Sequence, residues 1–187
     1  MLLRLVWLEK KQKKSTMASI SFIIPTIGRD SLGKTLRSIK RQPQDEILVE
    51  VDLPKTGRWG NDQRNRAMVR AKCEWLCFCD DDDIFVPGHR EMQEQAIREN
   101  PGKPILFQMQ YPNGDILWKG KNVIPGNIST AMILVPNIPS KLYHWKDGRN
   151  MADFIFVDHW GWPKEEIVWI EKVLVKLGHD GANYEKT

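Results

Sequence analysis

Four consecutive aspartates, Asp80–Asp83, interrupt an apolar part of the sequence, since CEWLCFC precedes them and IFVP follows. Adjacent carboxylates repel one another, and each makes its neighbours harder to ionise. A solvated acidic tail tolerates such a run, but core-forming residues do not flank a tail on both sides. We therefore expect a positive group at this point. Mg²⁺ or Mn²⁺ would fit, because these cations bind carboxylate oxygens together with substrate phosphates.

Two other interpretations of the acidic run stay open, a solvated acidic turn and a calcium site. An EF-hand is excluded, because the spaced ligands, the central glycine and the terminal glutamate of its loop are missing. The sequence also contains neither GxGxxG nor GxxxxGKS/T, and no GxSxG. These absences disfavour a dinucleotide oxidoreductase and a P-loop ATPase. A bound nucleotide would be held through acidic residues and a metal ion.

Arginines cluster shortly before the acidic run, on a predicted helix and the loop that leads into it. Arg64 is placed to bind a phosphate or the acidic run, because a guanidinium group makes forked contacts with either. Arg70 lies further along the helix, where we expect an ordinary solvated side chain. The full set is Arg58, Arg64, Arg66 and Arg70.

Alternating strand and helix patterns position these residues at the ends of strands. The alternation is typical of a parallel sheet with helical crossovers, in which ligands bind beyond the carboxyl ends of the strands. Three such ends, Pro25–Arg29, Asp52–Gly60 and Asp80–Asp83, carry polar or charged residues. The predicted elements are strand Ser19–Ile24, helix Asp30–Arg41, strand Glu46–Asp52, helix Asn61–Ala71, strand Glu74–Cys79 and helix Pro87–Asn100.

The pattern changes in the second half of the chain. An Asn-Gly turn signal between two short strand patterns predicts a hairpin. The predicted elements are strands Ile105–Tyr111, Ile116–Lys119 and Thr130–Val135, a short helix Met151–Trp160 and a final strand Ile167–Leu177.

Length and charge bound the class of protein. The 187 residues suffice for one domain with a core. The net charge of +4 belongs entirely to residues 1–16, so the rest of the chain is neutral, unlike a polyanion-binding domain. The apolar run in 1–16 is shorter than the about 20 residues that span a bilayer. We expect a solvated basic extension; the alternative is a weak anchor for an anionic surface.

The cysteines and tryptophans each have a structural interpretation as well as a functional one. Three clustered cysteines, an odd count, argue against a disulfide framework, and zinc needs a fourth ligand. We expect reduced, mostly buried thiols in a cytoplasmic protein. Three tryptophans either form a wall on which a sugar stacks or belong to the core: Trp145, Trp160 and Trp162.

The segments SFIIPTIGR, ILVEVD and GNDQRNRAMVRAKCEWLCFCDDDD together resemble the nucleotide-sugar-binding half of family 2 glycosyltransferases. In that family an opening strand ends in a Pro-containing loop, a second strand ends in Asp, and a Gly…Arg-Asn helix precedes the DxD motif. The resemblance covers roughly residues 19–100. It implies the α/β GT-A fold, a Rossmann-like, mixed, mainly parallel sheet with helices on both faces and a C-terminal antiparallel portion. A single catalytic domain, 17–187, would comprise a nucleotide-sugar-binding half, 17–103, and an acceptor-side half, 104–187.

The resemblance also implies roles for individual residues. The base pocket, the ribose and the diphosphate of the donor would be contacted by Pro25, Thr26, Arg29, Asp52, Arg64, Asn65, Asp80 and Asp81. The metal, Mn²⁺ or Mg²⁺, would be bound by Asp82, Asp80 and His179. His179 is otherwise a surface histidine in a Gly-His-Asp-Gly turn, and Asp83 is expected to support the site rather than to bind the metal.

The catalytic base is harder to place, because the C-terminal half resembles the family less. Alignment of the closing strand and His179 puts Asp153 at the family's catalytic aspartate, although Ala152 stands where Glu is usual. Asp158 is the rival, and on a short helix the two point in different directions. Asp153 is otherwise a carboxylate at a helix N-terminus, where the helix dipole favours it.

The resemblance implies a metal-dependent glycosyltransferase of hexosyltransferase type, which moves a sugar from a nucleoside-diphosphate sugar, a UDP-sugar, to an acceptor hydroxyl with inversion. Without Asp153 as base, a retaining course stays open. The alternatives are a nucleotidyltransferase and a non-catalytic nucleotide- or carbohydrate-binding module on the same fold. The acceptor is a small metabolite, a glycan, a lipid head group or a modified nucleic-acid base. We expect no transmembrane segment and a cytoplasmic location, with at most weak surface association through residues 1–16.

Overall fold

The computed structural model describes residues 17–52, 57–146 and 151–178. The predicted basic extension 1–16 and His179 lie outside the described residues. The strands are β1 Ile20–Thr26, β2 Glu46–Val51, β3 Trp75–Phe78, β4 Ile84–Phe85, β5 Ile105–Gln110, β6 Ile116–Leu117, β7 Ile133–Pro136 and β8 Val168–Lys176. The α-helices are α1 Leu32–Ser38, α2 Asn61–Arg70, α3 His89–Glu99 and α4 Ala152–His159, and short 3₁₀ turns cover Thr130–Met132 and Lys164–Glu166.

The strands form one mixed sheet in the order β2-β1-β3-β7-β5-β8-β4, with β6 paired to β5. β1 is parallel to both β2 and β3, and β5 is parallel to β8. β7 runs antiparallel to β3 and β5, and β4 runs antiparallel to β8. The predicted fold class, a mixed, mainly parallel sheet with a C-terminal antiparallel portion, is confirmed.

Helices cover both faces of the sheet, because alternate strand residues point to opposite sides. Phe22 of β1 packs with Ile97 of α3 in one core cluster, to which α1 contributes partly buried leucines. Ile23, the next residue of β1, packs with Met68 of α2 and Phe156 of α4 in the other. The apolar residues of β1, β3 and β7 are buried on both sides of the sheet, whereas those of the edge strand β2 are partly exposed.

Three differences from the predicted elements have local causes. Thr130–Val135 is predicted as a strand, but its first three residues form a 3₁₀ turn and β7 begins at Ile133. Helix α3 begins after Gly88 rather than at Pro87, since Gly88 takes the left-handed φ of 79° that turns the chain into the helix. β4, which was not predicted, is two residues long and is held by its pairing with β8.

Polar side chains tie α3 to the segment between α1 and β2. Arg90 makes two hydrogen bonds to the buried Asp45 carboxylate, at 2.8 and 3.1 Å. His89 is fully buried, and its Nε2 accepts a hydrogen bond from the Lys40 backbone N–H at 2.9 Å. Burial lowers the pKa of His89 to about 4, which keeps the imidazole neutral at physiological pH.

The cysteines are free and buried, as predicted: Cys73, Cys77 and Cys79. Burial raises the pKa of Cys77 to about 12, so the thiol is not reactive at neutral pH. None of the helices in the described part of the chain is long and apolar enough to cross a membrane.

Candidate active site

The carboxyl ends of β1 and β3 bring the first loop and the acidic run together. Ile23 pairs with Phe78, so the two parallel strands end side by side. The Thr26 hydroxyl donates a hydrogen bond to Asp81 Oδ2 at 2.6 Å and accepts one from the Gly28 N–H at 2.9 Å. Two predicted donor-binding residues, Thr26 and Asp81, are therefore in direct contact.

Arg29 supplies positive charge to the acidic run in this structure. Its Nη1 lies 3.2 Å from Asp81 Oδ1 and also contacts Asp82 Oδ2. Both carboxylates are largely buried, whereas about a third of the arginine side chain, 35%, is exposed. In this structure, the positive group beside the acidic run is therefore the partly exposed Arg29 side chain.

Arg64 provides a second cation from the other side of the acidic run. This arginine is nearly fully buried, its Nη2 contacts Asp80 Oδ1, and its Nη1 donates to the Trp59 carbonyl at 2.8 Å. The other arginines of the cluster pair with carboxylates outside the acidic run, Arg58 with Asp62 and both Arg66 and Arg70 with the largely buried Glu50. Arg70 is exposed as predicted, although it is paired rather than simply solvated.

Gly60, the glycine of the Gly…Arg-Asn pattern, allows the start of α2 to approach β1 closely, a role that the sequence alone did not indicate. It precedes the helix with a left-handed φ of 75°. A Cβ atom at this position would lie 2.7 Å from Pro25 Cβ and 3.3 Å from Arg64 Nη1. Gly60 therefore sets the position of Arg64 relative to the first loop. Gly178, at the end of β8, is similarly close, since a side chain there would collide with the Asp82 carbonyl.

Asp83 differs from the other three aspartates because it turns inward. Its Oδ2 accepts a hydrogen bond from the Asp80 N–H at 3.3 Å, and the residue is almost fully buried. Burial, with the neighbouring charges of Asp80 and Asp82, raises its pKa well above the usual range. This placement matches a residue that shapes the turn.

Pro25 and Asp52 lie beside the same edge of the sheet. Pro25 is a buried residue of β1 and packs against Gly60. Asp52 is also buried, and its backbone N–H donates to the Thr26 carbonyl at 2.8 Å. Both predicted donor-binding residues therefore border the first loop, where β1 and β2 end.

Asn65 contacts protein rather than open space. Its Nδ2 donates to the Trp145 carbonyl at 2.9 Å, and its Oδ1 accepts from the Trp145 N–H at 2.8 Å. The side-chain amide thus fastens the segment before α4 onto α2. Its neighbour Arg64 points into the acidic run.

Asp153 lies in the first turn of α4 and shares its electrostatic surroundings with the acidic run. The Thr130 hydroxyl donates to Asp153 Oδ1 at 2.6 Å. Burial raises the pKa of Asp153; the Arg64 charge and the Thr130 bond oppose this rise, and the Asp80 charge adds to it. A raised pKa makes an ionised carboxylate a stronger base.

Asp158, the rival base, is placed differently on the same helix. Its carboxylate pairs with Lys164 and lies 3.6 Å from His159 Nδ1. A carboxylate engaged by a lysine is a weaker candidate for proton abstraction than Asp153. The two aspartates face different partners, as their spacing predicts.

The three tryptophans proposed as a sugar-stacking wall are core residues. Their exposed fractions are 2% for Trp145, 5% for Trp160 and 3% for Trp162. Aromatic packing accounts for them, since Trp145 stacks on Phe156 with ring centroids 4.3 Å apart and Trp160 packs edge-on against Trp162. The sugar-stacking interpretation is therefore wrong for these side chains in this arrangement.

The fit of a divalent cation depends on the carboxylates of the acidic run. Among the described residues, no three His, Cys, Asp or Glu side chains are grouped so as to hold a metal ion. Mg²⁺ nevertheless binds commonly through one or two carboxylates completed by substrate phosphates. Asp82 and Asp80 offer the right oxygen ligands. To bind a metal ion, Asp82 would have to release Arg29, and Asp80 would have to release Arg64.

The chain is similar in sequence to a curated protein and shares its fold with solved structures. No protein-family model matches the chain. Over 92 residues, 48% of the chain, it is 30% identical to a protein of Haemophilus influenzae described as an uncharacterized glycosyltransferase. That match covers 31% of the relative, so the chain spans about a third of the curated protein it matches.

Solved structures of S. aureus TarS share the fold. One superposes with a TM-score of 0.68 at 14% identity, covering 86% of this chain and 37% of TarS. TarS 1–349 in complex with UDP-GlcNAc superposes with a TM-score of 0.62 at 14% identity, covering 88% of this chain and 61% of that one. These structures confirm the predicted GT-A-like fold, and the relative from Haemophilus influenzae confirms the resemblance to glycosyltransferases.

Proposed function

We propose that this chain transfers a sugar from a UDP-sugar to the hydroxyl group of an acceptor. The observation that carries the proposal is the meeting of Arg29, Arg64 and the acidic run at one edge of the sheet, within electrostatic reach of Asp153. The glycosyltransferase named among the relatives and the TarS complexes with UDP-GlcNAc and UDP support this choice of donor.

The diphosphate of the donor would bind beside the two arginines. Arg29 and Arg64 each contact a carboxylate in this structure, and a phosphate oxygen is an equally good partner for a guanidinium group. The nucleoside would lie against the first loop, near Pro25, Thr26 and Asp52. A divalent cation bound by Asp82 and Asp80 would add neutralising charge at the leaving diphosphate.

Asp153 would act as the base of the transfer. The acceptor oxygen attacks the anomeric carbon, its proton passes to the Asp153 carboxylate, and the bond from that carbon to the diphosphate oxygen breaks. The electron pair leaves with the diphosphate, whose charge Arg64 stabilises from a fixed, buried position. Attack opposite the leaving group inverts the anomeric centre. The acceptor is one of the classes named above.

The first test is calorimetric titration of UDP and GDP into the full chain, with Mn²⁺ and with EDTA. We expect UDP to bind more tightly than GDP and only with the metal, and Asp82→Asn to abolish binding. Asp115→Asn is the matched control, since Asp115 is an exposed residue of the β5–β6 turn. Absence of UDP and GDP binding under all conditions would refute the proposal.

Turnover separates the alternatives. A glycosyltransferase hydrolyses or transfers the sugar of a bound UDP-sugar, and Asp153→Asn removes that activity while UDP still binds. A non-catalytic module binds UDP without turnover. A nucleotidyltransferase instead releases pyrophosphate from a nucleoside triphosphate and a sugar phosphate, a reaction that can be assayed directly.

A further inference from the structure

The indole ring of Trp145 contacts both Arg64 and helix α4. The guanidinium carbon of Arg64 is 4.9 Å from the ring centroid. The ring also stacks on Phe156, at a centroid distance of 4.3 Å and an interplanar angle of 7°. Phe156 follows Asp153 by three residues on α4, so one side chain contacts both the donor-side arginine and the helix that bears the candidate base.

The backbone of Trp145 is fixed to α2 independently of its ring. Asn65 makes two hydrogen bonds to it, at 2.8 and 2.9 Å, from the residue next to Arg64. Asn61, one turn earlier, donates to the carbonyl of Lys146 at 3.2 Å. A segment far away in sequence is thus clamped along one face of α2.

We propose that Trp145, clamped by Asn65, is the positioning residue that holds Arg64 in place when the diphosphate binds; this inference rests on the proposed function. The contact between Arg64 and Asp80 is lost if Asp80 binds a metal ion or if Arg64 binds a phosphate oxygen. The indole face and the Trp59 carbonyl then remain to orient the guanidinium group.

The contacts of Arg64 support this role. Its Nε is buried, and no hydrogen-bond partner for it exists among the described residues, so the group is oriented by Nη1, by Nη2 and by the ring. A buried cation over an indole face gains more than an exposed one, because water does not compete. Asn65, predicted as a donor contact, acts in this interpretation through Trp145.

The test compares UDP affinity in Trp145→Leu and Trp145→Phe, measured by calorimetry well below the melting temperature of each variant. Leucine keeps apolar packing but removes the ring, and we expect about fivefold weaker UDP binding. Phenylalanine keeps a π face and should restore most of the affinity. Trp162→Leu is the matched control, since Trp162 is equally buried under Lys141, at 5.2 Å, and donates to the Gly102 carbonyl.

Asn65→Ala completes the test by a double-mutant cycle with Trp145→Leu. If Asn65 acts through Trp145, the double variant binds UDP no more weakly than the weaker single variant; independent contacts to the donor would multiply their losses. If Trp145→Leu does not fold, the cycle is run with Trp145→Met, which also removes the ring but keeps a large apolar side chain. The inference is overturned if wild-type protein binds UDP and Trp145→Leu binds it as tightly as Trp162→Leu does. A wild-type protein that binds no nucleotide overturns the proposed function itself.

Discussion

Replacement of Gly60 by alanine should destabilise the fold and displace Arg64 at once. A non-glycine residue in the left-handed region costs about 1–2 kcal/mol. The new Cβ would also lie 2.7 Å from Pro25 Cβ and 2.9 Å from Pro25 Cγ, well inside van der Waals contact. Crowding of a packed site typically adds about 1–3 kcal/mol. We therefore expect a loss of about 2–5 kcal/mol in the free energy of unfolding.

Gly126→Ala isolates the backbone part of this cost. Gly126 has a φ of 76°, against 75° for Gly60, but no atom lies within 4 Å of a Cβ built there. Urea denaturation should therefore show a loss of about 1–2 kcal/mol for Gly126→Ala and a clearly larger one for Gly60→Ala. The difference between the two variants measures the contact with Pro25.

The UDP affinity of the same variants tests the link to the site. Gly60→Ala should weaken UDP binding, because the start of α2 must move away from β1 and carries Arg64 with it. Gly126→Ala should leave the affinity unchanged. Equal destabilisation by the two substitutions, or unchanged UDP binding in Gly60→Ala, would refute the argument that this glycine sets the position of Arg64.

Three further predictions concern titration and charge. Because the pKa of His89 falls from 6.5 in the unfolded chain to about 4 in the fold, its contribution to stability is complete above pH 6.5 and is lost as the pH falls toward 4; the loss is about 3 kcal/mol. Urea melts at pH 7.5 and pH 4.5 should show this loss in wild type, and a smaller pH dependence in His89→Gln. Transfer activity should fall as the pH drops through the raised pKa of Asp153, which faces Arg64, Asp80 and Thr130, and Asp153→Asn should lower kcat by about 10²–10⁴-fold with UDP affinity nearly unchanged. Arg29→Gln should bind Mn²⁺ more tightly than wild type in the absence of nucleotide, as measured by electron paramagnetic resonance, since the arginine no longer competes for Asp82.

Each of these three has a result that contradicts it. An unchanged pH dependence in His89→Gln would assign the acid sensitivity to other groups. Full activity of Asp153→Asn would exclude Asp153 as the base and leave Asp158 as the candidate. Identical Mn²⁺ affinity in wild type and Arg29→Gln would mean that the arginine does not compete with the cation.

The sequence predicted the order of the elements and the edge at which the candidate residues meet. Both depend on local patterns: apolar runs mark β1 and β3, and the carboxyl ends of parallel strands always face the same way. Thr26 and Asp81 are distant in sequence, yet they hydrogen bond because each lies at the carboxyl end of such a strand. Asp153 was placed by resemblance, and the structure adds the Thr130 contact that local patterns do not contain.

What the sequence did not predict depends on distances between side chains. The resemblance implies that Arg29 contacts the donor, but it does not indicate that the guanidinium group reaches the acidic run. The sequence does not distinguish a surface from a core position for Trp145. The stacking of its ring on Phe156 of α4 decides for the core. The role of Gly60 follows from a contact with Pro25 across two elements. A motif specifies residue types, whereas packing specifies which of them touch.

The strand order has a consequence for how the chain folds and how it can be divided. β3, which leads into the acidic run, is covered on one side by β1 and on the other by β7, from the second half of the chain. A fragment ending at residue 103 would leave β3 as an open edge of apolar residues, a typical template for aggregation. The two halves are therefore expected to fold together, and the long sequence separation of β3 and β7 favours slow folding. Nucleotide binding would then be gained only when both halves have folded. Two separately expressed halves, mixed together, should not bind nucleotide.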